Sequence, residues 1–182
     1  MTVEPTVLQT ERLILRPYKV GDVDDVLAYR NDEEWALYLP HIPQPYTRRH
    51  AEQFVAEEVL RSWEKSPWVA IELSGRVVGN VGMDIDMRNS LGALGYTLAR
   101  KHWGKGITVE ATRAFVGWAF SAYDLAKVYV EIDKRNVRST RVAEKLGMTC
   151  EGLLKSHHAA RDGRSDDVVY GVLREEWQAD AD

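Results

Sequence analysis

The chain has 182 residues, 45% of them hydrophobic, and a formal net charge of −4. This is enough apolar material for one domain spanning 1–182 with a sizeable core, and the acidic balance argues against general nucleic-acid binding. The single cysteine, Cys150, rules out an internal disulfide and a thiolate-rich metal centre, and no metal site is expected.

Residues 12–18 (RLILRPY) alternate polar and apolar side chains and run into Pro17, which suits a first strand that stops there. Gly21 and Asp22 precede an apolar pattern at Val23, Val26 and Leu27, so Asp22 is expected to cap a short helix that frays at Asn31. From Trp35 to Tyr46 three prolines and several aromatics fit no regular element. This segment reads as a partly ordered loop over a pocket, either a cap on the core or a substrate contact. Thr47 is placed to cap a second helix, whose Ala51, Phe54, Val55, Val59, Leu60 and Trp63 form one apolar stripe ending near Lys65.

Residues 68–73 and 76–86 flank Ser74 and Gly75 and read as a hairpin, with Asp84 and Asp86 on one face of its second strand. Arg88, Asn89 and Ser90 mark the next reversal. A strand from Leu94 to Ala99 then leads into a basic turn holding Gly104 and Gly106, followed by a helix through Phe120 so apolar that it must be buried. Residues 127–133 (KVYVEID) alternate again and enter the sheet after this helical crossover, parallel to their neighbour. A compact helix from Arg138 to Leu146 ends at Gly147. Residues 149–157 and 164–173 flank Arg161, Asp162 and Gly163 as another hairpin, and the charged tail from Arg174 is expected to fray. Cys150 starts a strand beside Met148, where a buried apolar side chain is the ordinary expectation. The longest uncharged apolar stretch, Ala114 to Tyr123, is too short to span a bilayer, and the amino terminus lacks secretory-signal features. A cytoplasmic protein with no membrane partner is therefore expected.

The strand, glycine turn and buried helix together suit an anion. Glycines let the backbone approach a ligand, and a helix start offers several unpaired N–H groups at the positive end of its dipole. The amides of Trp103, Gly104, Lys105, Gly106, Ile107 and Thr108 are the candidate donors. The spacing fits neither a P-loop nor a dinucleotide fingerprint, which lacks its third glycine here.

The order of GYTLARKHWGKGITVEA, an apolar helix, a strand, RNVRSTRVAEKLGM and a closing strand pair resembles the GNAT superfamily of acyl-CoA-dependent N-acetyltransferases. The opening TERLILRPYKVGD and the EGLLK…DGRSDDVVYGVL ending resemble its branch of ribosomal-protein N-terminal (alanine/serine) acetyltransferases. The resemblance covers nearly the whole chain. It implies an α/β fold with a mixed, mostly antiparallel sheet of six to seven strands. Helices would cover both faces, and the sheet would splay between two central parallel strands, GYTLA and KVYVEID. It also implies acetyl-CoA as donor, its pyrophosphate on the glycine turn and its pantetheine arm along a free strand edge at Leu98 and Ala99.

The same resemblance sets Asn136 against the pantetheine arm and Ser139 near the thioester sulfur as the acid, although Asn136 capping the helix and Ser139 satisfying local backbone in its first turn are the competing readings. Many members of the superfamily use a tyrosine one turn later, where Ala143 stands here. Direct attack by a neutral amine needs a base, and the carboxylate often found just before Gly-Tyr is absent, with Ala93 and Leu94 in that neighbourhood. In the ribosomal branch a glutamate follows the Glu-Gly pair on the next strand. Counting from Glu151 and Gly152, His158 occupies that place, with Asp84 and Asp86 as rivals. The implied acceptor is a primary amine, either a peptide or protein amino terminus or a small antibiotic or polyamine. A noncatalytic acyl-CoA-binding module is the alternative from another class, and a homodimer is one open assembly.

Overall fold

A computed structural model describes residues 3–179. Eight strands form one sheet in the order β1-β2-β3-β4-β5-β6-β8-β7: β1 Leu8–Gln9, β2 Leu13–Arg16, β3 Trp68–Leu73, β4 Arg76–Asp86, β5 Leu91–Leu98, β6 Lys127–Asp133, β7 Thr149–Ala160 and β8 Gly163–Leu173. Five α-helices accompany them: α1 Val23–Arg30, α2 Arg48–Val59, α3 Ile107–Tyr123, α4 Val137–Lys145 and α5 Arg174–Ala179. The sheet exceeds the expected count because β1 adds a two-residue edge to β2. No helix among the described residues is long and apolar enough to cross a membrane.

Local chemistry accounts for most boundaries. Ser74 and Gly75, with φ of 52° and 76°, close the β3–β4 hairpin in the left-handed conformation that matches strand twist. Thr47 caps α2 by accepting the His50 N–H at 3.4 Å, and His50 Nδ1 accepts the Thr47 N–H in return. Asp22 does not cap α1. Its carboxylate instead pairs with the buried Arg16 guanidinium through two 2.9 Å bonds and accepts the Lys19 N–H. α2 stops at Val59 rather than near Lys65. Ala51 and Val55 face the core on one side of the sheet, whereas Trp63 packs against Trp118 of α3 on the other, so the chain leaves the helix to reach it. Arg174–Ala179 is helical rather than frayed, because Trp177 of α5 is buried against Phe120 and lies under the Arg113 guanidinium; the rest of the expected fraying tail, 180–182, lies outside the described residues.

Two cores flank the sheet. One joins α3 to β2, β3, β4 and β6 through Phe115, Val116, Leu15, Ile71, Met83 and Val128. The other joins α1, α2 and the 35–46 loop through Val26, Tyr29, Trp35, Ile42, Tyr46 and Val55. β5 and β6 are parallel neighbours only over Leu91↔Lys127, Gly92↔Val128 and Ala93↔Tyr129. Beyond Ala93 they part: β6 stays on β8 to the Asp133↔Asp167 pair, and β5 stays on β4 to Gly79↔Leu98. The sheet thus opens a wedge between Leu94–Leu98 and Val130–Asp133, the splay expected from sequence.

Candidate active site

A cavity of about 1080 Å³ fills this wedge and extends from the amino end of α3 to the 35–46 loop. At the α3 end, Gly104 and Gly106 both have positive φ, 74° and 77°, a conformation that costs L side chains strain. The first bond of the helix runs from the Glu110 N–H to the Gly106 carbonyl. The N–H groups of Gly104, Lys105, Gly106, Ile107 and Thr108 therefore have no acceptor among the described residues, and a Cβ at Gly104 would meet nothing within 4 Å. Trp103 departs from the expected set: its amide donates to the Arg100 carbonyl and its indole Nε1 to the Leu98 carbonyl at 2.7 Å. Lys105 lies outside the cavity wall, and its carbonyl accepts from Arg12. Arg12 also pairs with Glu110, which ties the turn to the start of β2. Burial raises the Glu110 carboxyl, but hydrogen bonds from Thr10 and Arg12 outweigh it and hold the group below the usual range.

The wedge exposes one edge of β5. The Ala99 N–H donates to the Val78 carbonyl, so Ala99 belongs to the β4 ladder and does not offer the free edge assigned to it. By the two-residue alternation of an antiparallel ladder, the backbone groups of Leu98 and Tyr96 then point toward β6, past the end of its pairing with β5. Leu98 lines the cavity and Ala99 does not.

Across the wedge, Asn136 caps α4, its Oδ1 accepting the Ser139 N–H at 3.2 Å. The competing helix-cap reading is thus realised, while Asn136 still lines the cavity. Ser139 Oγ lies 2.8 Å from the hydroxyl of Tyr96, which also donates to the Ser139 carbonyl at 3.1 Å. Burial pushes the Tyr96 phenol up to about 12, against a smaller lowering by Ser139, so it stays protonated at neutral pH. Sequence reasoning missed Tyr96, although it stands within the GYTLA strand. The pairing joins positions 43 residues apart, which no local periodicity reveals.

Toward the loop the wall becomes acidic, with Glu57, Glu58, Asp84 and Glu131. Burial raises Glu58, opposed by its two bonds from Arg61. Asp84 accepts from Ser66 Oγ at 2.5 Å. His158 is not on the cavity wall. Its Nδ1 meets Asp167 Oδ2 at 2.5 Å, and its Nε2 faces Glu131 Oε2 at 3.7 Å. It reaches the cavity only through Glu131, a residue the sequence reading passed over. The 35–46 loop is both core cap and cavity wall. Trp35, Ala36, Ile42 and Tyr46 are buried, while Arg161 of the β7–β8 turn donates to the carbonyls of Ala36, Leu39 and Ile42.

A basic stripe on α4 also escaped the sequence reading. Arg138, Arg141 and Lys145, spaced three and four apart, line the cavity beside the α3 turn, with Arg138 4.6 Å from the Trp103 ring centre. Cys150 is exposed rather than buried and does not line the cavity.

The family model described as "Acetyltransferase (GNAT) domain" matches residues 12–149. A Bacillus subtilis protein named "Probable N-acetyltransferase YjcK" is 32% identical over 177 residues, covering 92% of this chain and 97% of that protein. The crystal structure of a GNAT-family acetyltransferase from Bacillus anthracis is 25% identical, covers 94% of this chain and 100% of its own, and superposes with a TM-score of 0.83. RimL, described as a ribosomal L7/L12 alpha-N-protein acetyltransferase in complex with coenzyme A, shares the fold at 17% identity and a TM-score of 0.84, over 92% of this chain and 98% of its own. The matched segment contains the glycine turn, the wedge and the Tyr96–Ser139 pair, and the chain belongs to the GNAT family of acetyl-CoA-dependent N-acetyltransferases.

Proposed function

We propose that this chain transfers an acetyl group from acetyl-CoA to the terminal amine of a peptide or protein by direct attack in a ternary complex. The observation that carries the reading is the sequence of groups along one cavity: unpaired helix-start amides, a free β5 edge, a hydroxyl pair, then carboxylates. The residues fit the donor. The amides of Gly104–Thr108 would hold the pyrophosphate, with Arg138, Arg141 and Lys145 supplying further positive charge. The Leu98 N–H and the Tyr96 carbonyl would pair with the amide groups of the pantetheine arm, the Leu98 carbonyl being taken by the Trp103 indole, and Asn136 would contact it from α4. When bound, the thioester supplies an activated acyl carbon and a thiolate leaving group.

The chain's own residues then have distinct tasks. Glu131, backed by His158 and Asp167, takes the proton from the incoming ammonium, with Asp84 as a second carboxylate that attracts it. The Tyr96 N–H, on the same open edge beside the hydroxyl pair, offers a donor to the carbonyl oxygen as charge develops there. The Tyr96–Ser139 pair gives a proton to the departing sulfur, a task suited to hydroxyls that stay protonated at neutral pH.

The wall near the acceptor end includes the exposed Pro43, Gln53 and Glu57, which leave a mouth for an extended chain end. A second reading, a small polyamine, is favoured by the acidic lining under a loop pinned by Arg161. Incubating the protein with acetyl-CoA and a panel of peptides, aminoglycosides and polyamines, while following thiol release, separates the two. Turnover with peptides alone supports the first reading. Turnover restricted to small polycations overturns it.

A further inference from the structure

We infer that Glu131, His157 and His158 form a binding site for one divalent transition-metal ion, Zn²⁺ by donor chemistry, at the rim of the acceptor end of the cavity. Neighbouring residues of a regular strand point to opposite faces. Here the β7–β8 register shifts between Leu154 and His158, and Ser156 adopts a φ of 51°. The bulge abolishes the alternation and brings both imidazoles to the same carboxylate. Arg164 buttresses it by donating to the Ser156 and His157 carbonyls at 2.7 and 2.6 Å.

The donor atoms are already at coordination spacing. Glu131 Oε2 lies 3.5 Å from His157 Nε2 and 3.7 Å from His158 Nε2, and the three donor atoms lie within 4.8 Å of one another. Tetrahedral ligands at about 2.0–2.1 Å from zinc stand only slightly closer together than this, so small rotamer changes complete the set. The donors are imidazole and carboxylate, which suit zinc and disfavour magnesium or calcium.

Behind them is the arrangement that metal-binding histidines commonly show. His158 Nδ1 meets the buried Asp167 carboxylate, whose other oxygen accepts from Ser165 Oγ at 2.7 Å. This orients the ring so that Nε2 faces Glu131. With three protein ligands the fourth position stays open, and all three side chains are exposed enough for an ion to enter. Because Glu131 also lines the cavity, a bound ion withdraws its carboxylate from the acceptor, and zinc is expected to inhibit transfer rather than support it.

The test uses full-length protein with no affinity tag, dialysed against Zn²⁺ and assayed for bound metal, with Co²⁺ as an optical probe of coordination. The expected result is one Zn²⁺ per chain and tetrahedral Co²⁺ absorption. His157→Ala and His158→Ala should each weaken binding at least tenfold, and Asp167→Asn by about 10- to 100-fold. His157→Ala, which leaves the Asp167–His158–Glu131 line intact, should also relieve zinc inhibition. Stoichiometric binding untouched by His157→Ala, binding abolished instead by Cys150→Ser, or no uptake by the folded wild-type protein would each overturn the site. Metal uptake is read without acetyl transfer, so its outcome is independent of the acceptor assignment above.

Discussion

The hydroxyls of Tyr96 and Ser139 lie within sharing distance of a single proton, 2.8 Å apart, and both line the cavity. A pair that works as one unit gives non-additive variants. Tyr96→Phe and Ser139→Ala should each lower kcat about 10²-fold, within the usual range for a lost general acid. The double variant should fall little further, with acetyl-CoA affinity nearly unchanged. Steady-state kinetics and calorimetry on the three proteins check this, and a double variant showing the product of the two single losses would contradict it. Tyr96 also makes a pH prediction. The folded phenol holds its proton to about 12, whereas in the unfolded chain it ionises near 10. Between those values the native state binds more protons, so stability falls as pH rises through the window. Tyr96→Phe should flatten that alkaline decline in denaturant titrations, though only by its share, because burial raises Tyr18 and Tyr123 as well.

At the level of elements, α3 and the 35–46 loop carry separable burdens. α3 places Phe115, Val116 and Ala119 in the core with no exposure, and its packing fixes the direction of the turn that precedes it. Phe115→Ala should cost about 3–5 kcal/mol of stability in urea unfolding. A loss under 1 kcal/mol would mean that α3 is not the central packing element. The loop is held from outside by Arg161, whose guanidinium bonds three of its carbonyls. Arg161→Ala should loosen the acceptor wall and raise the acceptor KM by about tenfold, the effect of one or two charged hydrogen bonds, with acetyl-CoA affinity unchanged. A weakened acetyl-CoA affinity instead would place the loop at the donor. The difference between what was and was not legible in sequence lies here. The Ser74–Gly75 hairpin, the Thr47 cap and the Gly104–Gly106 turn are local chemistry and could be read directly. The early end of α2 and the helical tail at Trp177 answer to side chains packed from distant parts of the chain, and the bulge at Ser156 to Arg164 and Asp166 on the facing strand; no periodicity announces them.

For the whole molecule, the sheet's failure to close between β5 and β6 is the organising feature. It leaves β5 with an open edge and aims that edge at the unpaired amides of α3, while α4 closes the opposite side with Asn136, Ser139 and a basic stripe. The α3 turn of this arrangement was visible in sequence because glycines and a helix start stand together there. At the carboxylate end the sequence named His158 and Asp84 but not Glu131 or Asp167, because these meet His158 only across β6, β7 and β8. The central claim is that the α3 turn holds the acetyl-CoA pyrophosphate, and calorimetric titration of acetyl-CoA into the wild-type protein, Gly104→Asp and Gly104→Asn tests it most directly. Both variants place a side chain on the same positive-φ backbone, where nothing lies within 4 Å, so they share the strain and differ in charge. The prediction is tight binding by the wild type, retained for the most part by Gly104→Asn and abolished by Gly104→Asp; Gly104→Asp binding with wild-type affinity would contradict it.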